Sequence, residues 1–125
     1  MEKTIAAVST APAPGCIGIV RISGEEALAV ADQVFRGVSG KKLSEMRGYT
    51  AQLGGAFTPD GERLDDVVAL VYRSPKSYTG EDVVELSCHG GLYVTKRLLQ
   101  LVLDAGASPA GPGEFTRRAF LNGKM

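Results

Sequence analysis

Apolar positions along this chain recur with two periods, and the points where the period changes mark its elements. Residues 4–8 (TIAAV) form a short apolar run open to either a strand or a helix start; Pro12, Pro14 and Gly15 stop it at once, which favours a strand. Residues 17–22 (IGIVRI) are β-branched and apolar on both faces, the pattern of a strand inside a sheet. Ser23 and Glu26 then have capping-box spacing. They predict a helix over 25–35 with Leu28, Ala31, Val34 and Phe35 on one stripe, ending before Gly37. Residues 38–47 are polar and loop-like. Residues 49–58 and 64–72 read as antiparallel strands joined by Pro59-Asp60-Gly61-Glu62, an Asp-Gly hairpin turn.

After a polar loop at 74–82, residues 83–88 (VVELSC) make another strand. Leu92, Leu98, Leu99, Val102 and Leu103 recur at helical spacing over 91–105, with Gly106 as the stop. Residues 107–112 are short and extended. Residues 114–121 (EFTRRAFL), entered through Pro112-Gly113, predict a helix with Phe115, Ala119 and Phe120 on one side. A hairpin combined with strand–helix steps gives an α+β fold, a small mixed or antiparallel sheet with about three helices.

The totals narrow the class. A chain of 125 residues suits one domain with a real core and is too short for two. Its 44% hydrophobic and 22% charged content is ordinary for a globular protein. Fourteen basic and 14 acidic side chains cancel, so no overall basicity argues for nucleic acid. Cys16 and Cys88, without CxxC or Cys/His ligand spacing, read as two reduced thiols. No apolar run approaches the roughly 20 residues of a membrane span, and MEKTIAAVST is too weakly apolar for a signal peptide. A cytoplasmic protein without a membrane partner is expected. The stop at Asn122-Gly123-Lys124-Met125, directly after a helix, suggests a piece of something longer.

Candidate chemistry gathers at residues 77–91, SYTGEDVVELSCHGG. Glu85 sits inside an apolar run, where a charge is costly unless paired. Strand alternation puts Val84, Leu86 and Cys88 on one face and Glu85, Ser87 and His89 on the other. That second face is either solvated, as antiparallel sheets allow, or it presents Glu85 to a ligand with two adjacent N–H donors. Arg21, in an equally apolar strand, must reach a strand-end salt bridge or an anion. Cys88 and His89 point to opposite faces unless the backbone turns, and no third residue orients them, so a thiol hydrolase is disfavoured. His89 is the only histidine, which leaves a metal site without partners. Arg117, Arg118 and Lys124 make a locally basic segment that an ordinary solvated helix face would explain. Neither GxxxxGK[ST] nor GxGxxG occurs.

TIAAVSTAP (4–12), CIGIVRISG (16–24), SYTGEDVVELSCHGG (77–91) and PGEFTRRAFLNGK (112–124) together resemble the N-terminal domain of the MnmE (TrmE) family of bacterial tRNA-modifying GTPases. The resemblance covers residues 4–124 and implies a fold like the tetrahydrofolate-binding domain of the glycine-cleavage aminomethyltransferase. It implies binding of a one-carbon tetrahydrofolate of the 5-formyl type, and a homodimer. Residues 1–125 would be that folate-binding domain, with a helical domain and an inserted GTPase domain, holding GTP, Mg2+ and K+, outside this chain. An MnmG-type, FAD-dependent partner would act with the whole protein to place an aminomethyl-type group at C5 of the wobble uridine of certain tRNAs.

The family's folate contacts fall on Arg21, Glu85 and Lys124; no catalytic residue and no metal ligand is expected in this stretch. A carboxylate such as Glu85 can accept both N–H donors of a pterin's pyrimidinone edge, and Arg21 and Lys124 suit the carbonyl oxygens and anionic glutamate tail. Where the family often has a basic PGRGG, this chain has Ala13-Pro14-Gly15-Cys16, and no contact from that loop is carried over. The alternatives are a dimerisation scaffold that has lost folate binding along with the basic loop, and a self-sufficient folate-dependent aminomethyltransferase, for which the chain is too short.

Overall fold

The two runs that alternate most cleanly, β2 (Gly18–Ser23) and β6 (Val83–Cys88), lie side by side and antiparallel near the middle of the fold. The computed structural model describes residues 2–10 and 17–124, so the loop at 13–16 and Cys16 lie outside the described residues. The remaining strands are β1 (Ile5–Val8), β3 (Phe35–Gly37), β4 (Thr50–Phe57), β5 (Arg63–Tyr72) and β7 (Ser108–Pro109). The helices are α1 (Ala27–Val34), α2 (Gly91–Asp104) and α3 (Glu114–Leu121). One seven-stranded sheet runs in the order β3-β4-β5-β6-β2-β1-β7. Every pairing is antiparallel except β1 with β7, so the sheet is mixed and the fold is α+β.

Alternation decides which face is dry. Val20 and Ile22 of β2, Val67, Ala69 and Val71 of β5, and Val84, Leu86 and Cys88 of β6 are fully buried. They join the cluster formed by Leu28, Ala31 and Val34 of α1 and Leu98, Leu101 and Val102 of α2. Each valine, leucine or isoleucine so buried contributes roughly 1.5–3 kcal/mol. Gly18 lets α2 come this close: a Cβ there would lie 1.9 Å from Thr95 Oγ1. The opposite face, carrying Ile19, Arg21, Val68, Leu70, Glu85 and Ser87, stays half-buried.

Four expectations need correction. Ser23 is the last residue of β2 and does not cap α1, because the chain first turns at Gly24 (φ +142°). α1 begins at Ala27, and Thr4 Oγ1 accepts the backbone N–H of Glu26 at 3.0 Å in place of a capping box. Phe35 leaves the helix to open β3, where it pairs with Ala56. The 38–47 loop buries Leu43 and Met46, and the Asp32 carboxylate accepts the N–H groups of Leu43 (2.6 Å) and Ser44 (3.1 Å) to hold it down. Phe120 is 67% exposed, whereas Arg118 is 2% exposed. The inward stripe of α3 runs Phe115, Arg118, Ala119, at i, i+3 and i+4, and Phe120 falls off it.

Candidate functional site

Register brings the two misplaced charges together. Arg21 and Glu85 are cross-strand partners on the open face, and Arg21 Nε donates to Glu85 Oε2 at 2.9 Å. Directly opposed side chains lie close enough for such a pair, and partial burial strengthens it relative to one in water. Arg21 therefore meets a salt-bridge partner within the sheet, across from it on β6, and not at the strand end. Its guanidinium also lies 5.4 Å from the ring centroids of both Tyr78 and Phe115, cation–π contacts that limit its freedom to swing away. A carboxylate has about four acceptor sites, so Glu85 keeps capacity beyond Arg21 and the neighbouring Tyr72 hydroxyl.

A cavity of about 340 Å³ opens over this pair. Arg21, Glu85 and Lys124 all line it, together with Tyr49, Tyr72 and Lys76. Its volume is in the range of small-molecule sites. Lys124 comes from a helix ending: Gly123, at φ +73°, lets its N–H reach Phe120 O (3.1 Å) and the Lys124 N–H reach Ala119 O (2.8 Å). These are the two bonds of a Schellman motif, which FLNGK encodes locally. Burial first, and the negative charge of Glu85 second, raise the Tyr72 phenol above its ordinary value of 10.0, so it is a neutral hydroxyl at physiological pH. Tyr49 packs edge-on against Tyr72 with centroids 6.0 Å apart, and it holds a left-handed φ of +61°. Such a conformation costs about 1–3 kcal/mol and is concentrated at functional sites.

The loop at 77–82 closes one side. Its Ser77 and Tyr78 line the cavity; Thr79 is buried, and Glu81 is held by Ser23 Oγ–H at 2.7 Å. Because Ser23 has one hydroxyl hydrogen and directs it to Glu81, the Thr79 hydroxyl donates to Ser23, also at 2.7 Å. The Cys-His corner does different work. Cys88 is fully buried on the helix face with its Sγ 3.5 Å from Thr95 Oγ1. His89 is exposed, and its backbone N–H, with that of Gly90, donates to Asp65 Oδ2 at 2.8 and 2.9 Å. The thiol is thus buried under α2 while His89 lies exposed beyond the end of β6. Among the described residues, no group of three or more His, Cys, Asp or Glu could hold a metal ion, and no helix is long and apolar enough to cross a membrane.

A family model described as the GTP-binding protein TrmE N-terminus matches residues 4–124. The chain belongs to that family. It is 56% identical, over 99% of its length, to a protein of Symbiobacterium thermophilum named tRNA modification GTPase MnmE. Proteins of the same name from Moorella thermoacetica and Lacticaseibacillus paracasei are 52% and 53% identical over 100% and 98% of the chain. The chain spans 26–27% of the length of these relatives.

In this TrmE N-terminal domain, the tertiary structure adds cavity residues that pattern reading did not single out. Tyr72 shares the Glu85 face only through the pairing of β5 with β6, and Tyr49 and Lys76 enter from the turns just before β4 and just after β5, at the same end of that antiparallel pair. The alternation of residues 64–72 held a signal for Tyr72 once that pairing was known; Lys76 and Tyr49 carried none.

Proposed function

We propose that this domain binds a one-carbon tetrahydrofolate of the 5-formyl type in the cavity over Arg21 and Glu85. The observation that carries the reading is that Arg21, Glu85 and Lys124, from β2, β6 and the end of α3, line one cavity. The chemistry of that wall suits a folate. Glu85 is a carboxylate with 17% side-chain exposure, held by Arg21 through one oxygen, and it retains acceptor capacity for two adjacent N–H donors. Tyr72 adds a neutral hydroxyl beside it. Lys76 and Lys124 line the same cavity and make no ion pair among the described residues, which leaves both free for an anionic glutamate tail. When bound, the folate would supply a one-carbon unit; the chain's part is to orient the pterin, shield it and neutralise its tail.

The same reading includes a homodimer. The sheet face opposite α1 and α2 leaves Ile17 and Leu53 52% and 56% exposed, and a second copy laid on that face would cover them. In the longer protein, this domain (residues 1–125) would serve a cytoplasmic GTPase that modifies C5 of the wobble uridine of tRNA with an MnmG-type, FAD-dependent partner. GTP, Mg2+ and K+ would then be held by segments outside these residues.

Titration with 5-formyltetrahydrofolate tests the proposal. The wild-type chain should bind saturably, and Glu85→Ala should weaken binding by about tenfold or more, the equivalent of one charge-assisted hydrogen bond. A folded dimer that binds no folate would overturn the assignment and leave a dimerisation scaffold in its place. Unchanged affinity in Glu85→Ala would remove Glu85 from the site.

A further inference from the structure

The two arginines of EFTRRAFL divide sharply. Arg117 is half exposed, whereas Arg118 is 2% exposed although its guanidinium is permanently charged and carries five donors. Its Nη1 donates to both oxygens of Glu81, at 3.1 and 3.2 Å, and its Nη2 donates to Glu114 Oε2 at 3.0 Å. Nε lies 3.1 Å from Glu2 Oε2, although its N–H does not point at that oxygen. One guanidinium thus joins α3, the 77–82 loop and the start of the chain.

Two further contacts run beside it. The Tyr78 and Thr116 hydroxyls are 3.0 Å apart, and Asn122 Nδ2 donates to Thr79 O at 2.8 Å. Gly80 completes the seam, because a Cβ there would sit 2.9 Å from Asn122 Cβ. The sheet alone fixes Arg21 and Glu85. Tyr78 on the loop and Lys124 at the end of α3 reach the same cavity only because loop and helix are held together. Arg118 is the most deeply buried polar side chain that α3 contributes to that seam.

We propose that Arg118 is a positioning residue of the ligand site: through Glu81 it clamps α3 to the 77–82 loop and so sets Lys124 and Tyr78 against the Arg21–Glu85 pair. The proposal rests on the folate reading for its ligand, and on the geometry alone for the clamp. An apolar side chain could fill the volume of Arg118, but it would leave Glu81 and Glu114 without their shared partner. Lysine keeps the charge and loses the planar fork that meets several carboxylates at once.

The test uses Arg118→Lys and Glu81→Gln, with Arg117→Ala as the exposed control. In the ligand-free chain, hydrogen exchange in both clamp variants should quicken at residues 77–82 and 114–124 while β2, β5 and β6 keep wild-type protection. Affinity for 5-formyltetrahydrofolate should fall about tenfold in Arg118→Lys, the loss of about one charge-assisted contact, and stay near wild type in Arg117→Ala. In a Lys124→Ala background the same Arg118→Lys change should cost at most about twofold, since a residue acting through Lys124 has little left to act on. Equal losses in both backgrounds, or exchange quickened across the whole sheet, would make Arg118 a general stabiliser and overturn the proposal. Unchanged exchange in the loop and α3 would overturn it as well. A wild-type chain that binds no folate would defeat the folate reading, and the exchange comparison would then decide the clamp by itself.

Discussion

Glu85 and Arg21 each occupy a strand position where a lone charge would be costly, and each is tolerable because it faces the other across β2 and β6. The pair leaves its mark on Tyr72, whose phenol is held above its ordinary value by burial and then by the charge of Glu85. Glu85→Gln removes that charge and leaves the burial. The Tyr72 pKa should therefore fall toward 10 in the variant while staying above it, as read by phenolate absorbance against a Tyr72→Phe blank. A pKa unchanged by the substitution would mean that Glu85 does not face Tyr72.

At the scale of elements, close approach and local electrostatics set what can change. The α2–β2 contact exists because position 18 has no side chain. Gly18→Ala would drive a methyl group to 1.9 Å from Thr95 Oγ1, and Thr95 cannot easily yield, since its hydroxyl donates to Gly91 O at 2.8 Å. Overpacking of this kind costs about 1–3 kcal/mol; urea unfolding should show that loss, and Thr95→Ala in the same chain should recover part of it. At α3, Glu114 is held below its ordinary 4.5 by the Gly111 N–H first, at 2.8 Å, and then by Arg118. A carboxyl with a depressed folded pKa adds stability above its unfolded value and loses it as pH falls through the folded one. The Glu114 contribution to thermal stability should thus be flat above about pH 4.5 and decline below it. Glu114→Gln should make the acid decline shallower; a decline of unchanged steepness would show that other carboxylates carry it.

For the whole molecule, α1 and α2 cover one face of the sheet; the other, which α3 overlies only at the Arg21–Glu85 end, stays half-buried, with Leu53 and Ile17 more than half exposed. Leu53→Asp should therefore leave thermal stability near wild type, because little burial is lost within the chain. In solution, if a second copy covers this face, the same change should weaken self-association by at least about tenfold, as expected when a charge enters a buried contact. Sedimentation of the variant beside wild type checks this. A dimer that survives Leu53→Asp and Ile17→Asp together would move the contact to another surface.

Local pattern reached far along this chain. Alternation set β6 at Val83–Cys88 and helical spacing set α3 at Glu114–Leu121, and it correctly placed Cys88 and Glu85 on opposite faces, because periodicity is a property of neighbouring residues. The Asp-Gly turn between β4 and β5 was equally legible. Pattern alone did not say which partner each polar group would take. Ser23 had the spacing of a helix cap and instead serves Glu81. Arg117 and Arg118 are adjacent and chemically alike, yet one is wet and the other buried among three carboxylates. Tyr72 and Lys76 joined Glu85 only when β5 paired with β6 and the following turn folded back. The amino-acid sequence by itself determined most of the elements, the dry faces of β6 and α1, and the family; the tertiary structure decided β3, the inward stripe of α3, the partners of the charges and the walls of the cavity, since those depend on long-range register and on which segments close over the open side of the sheet.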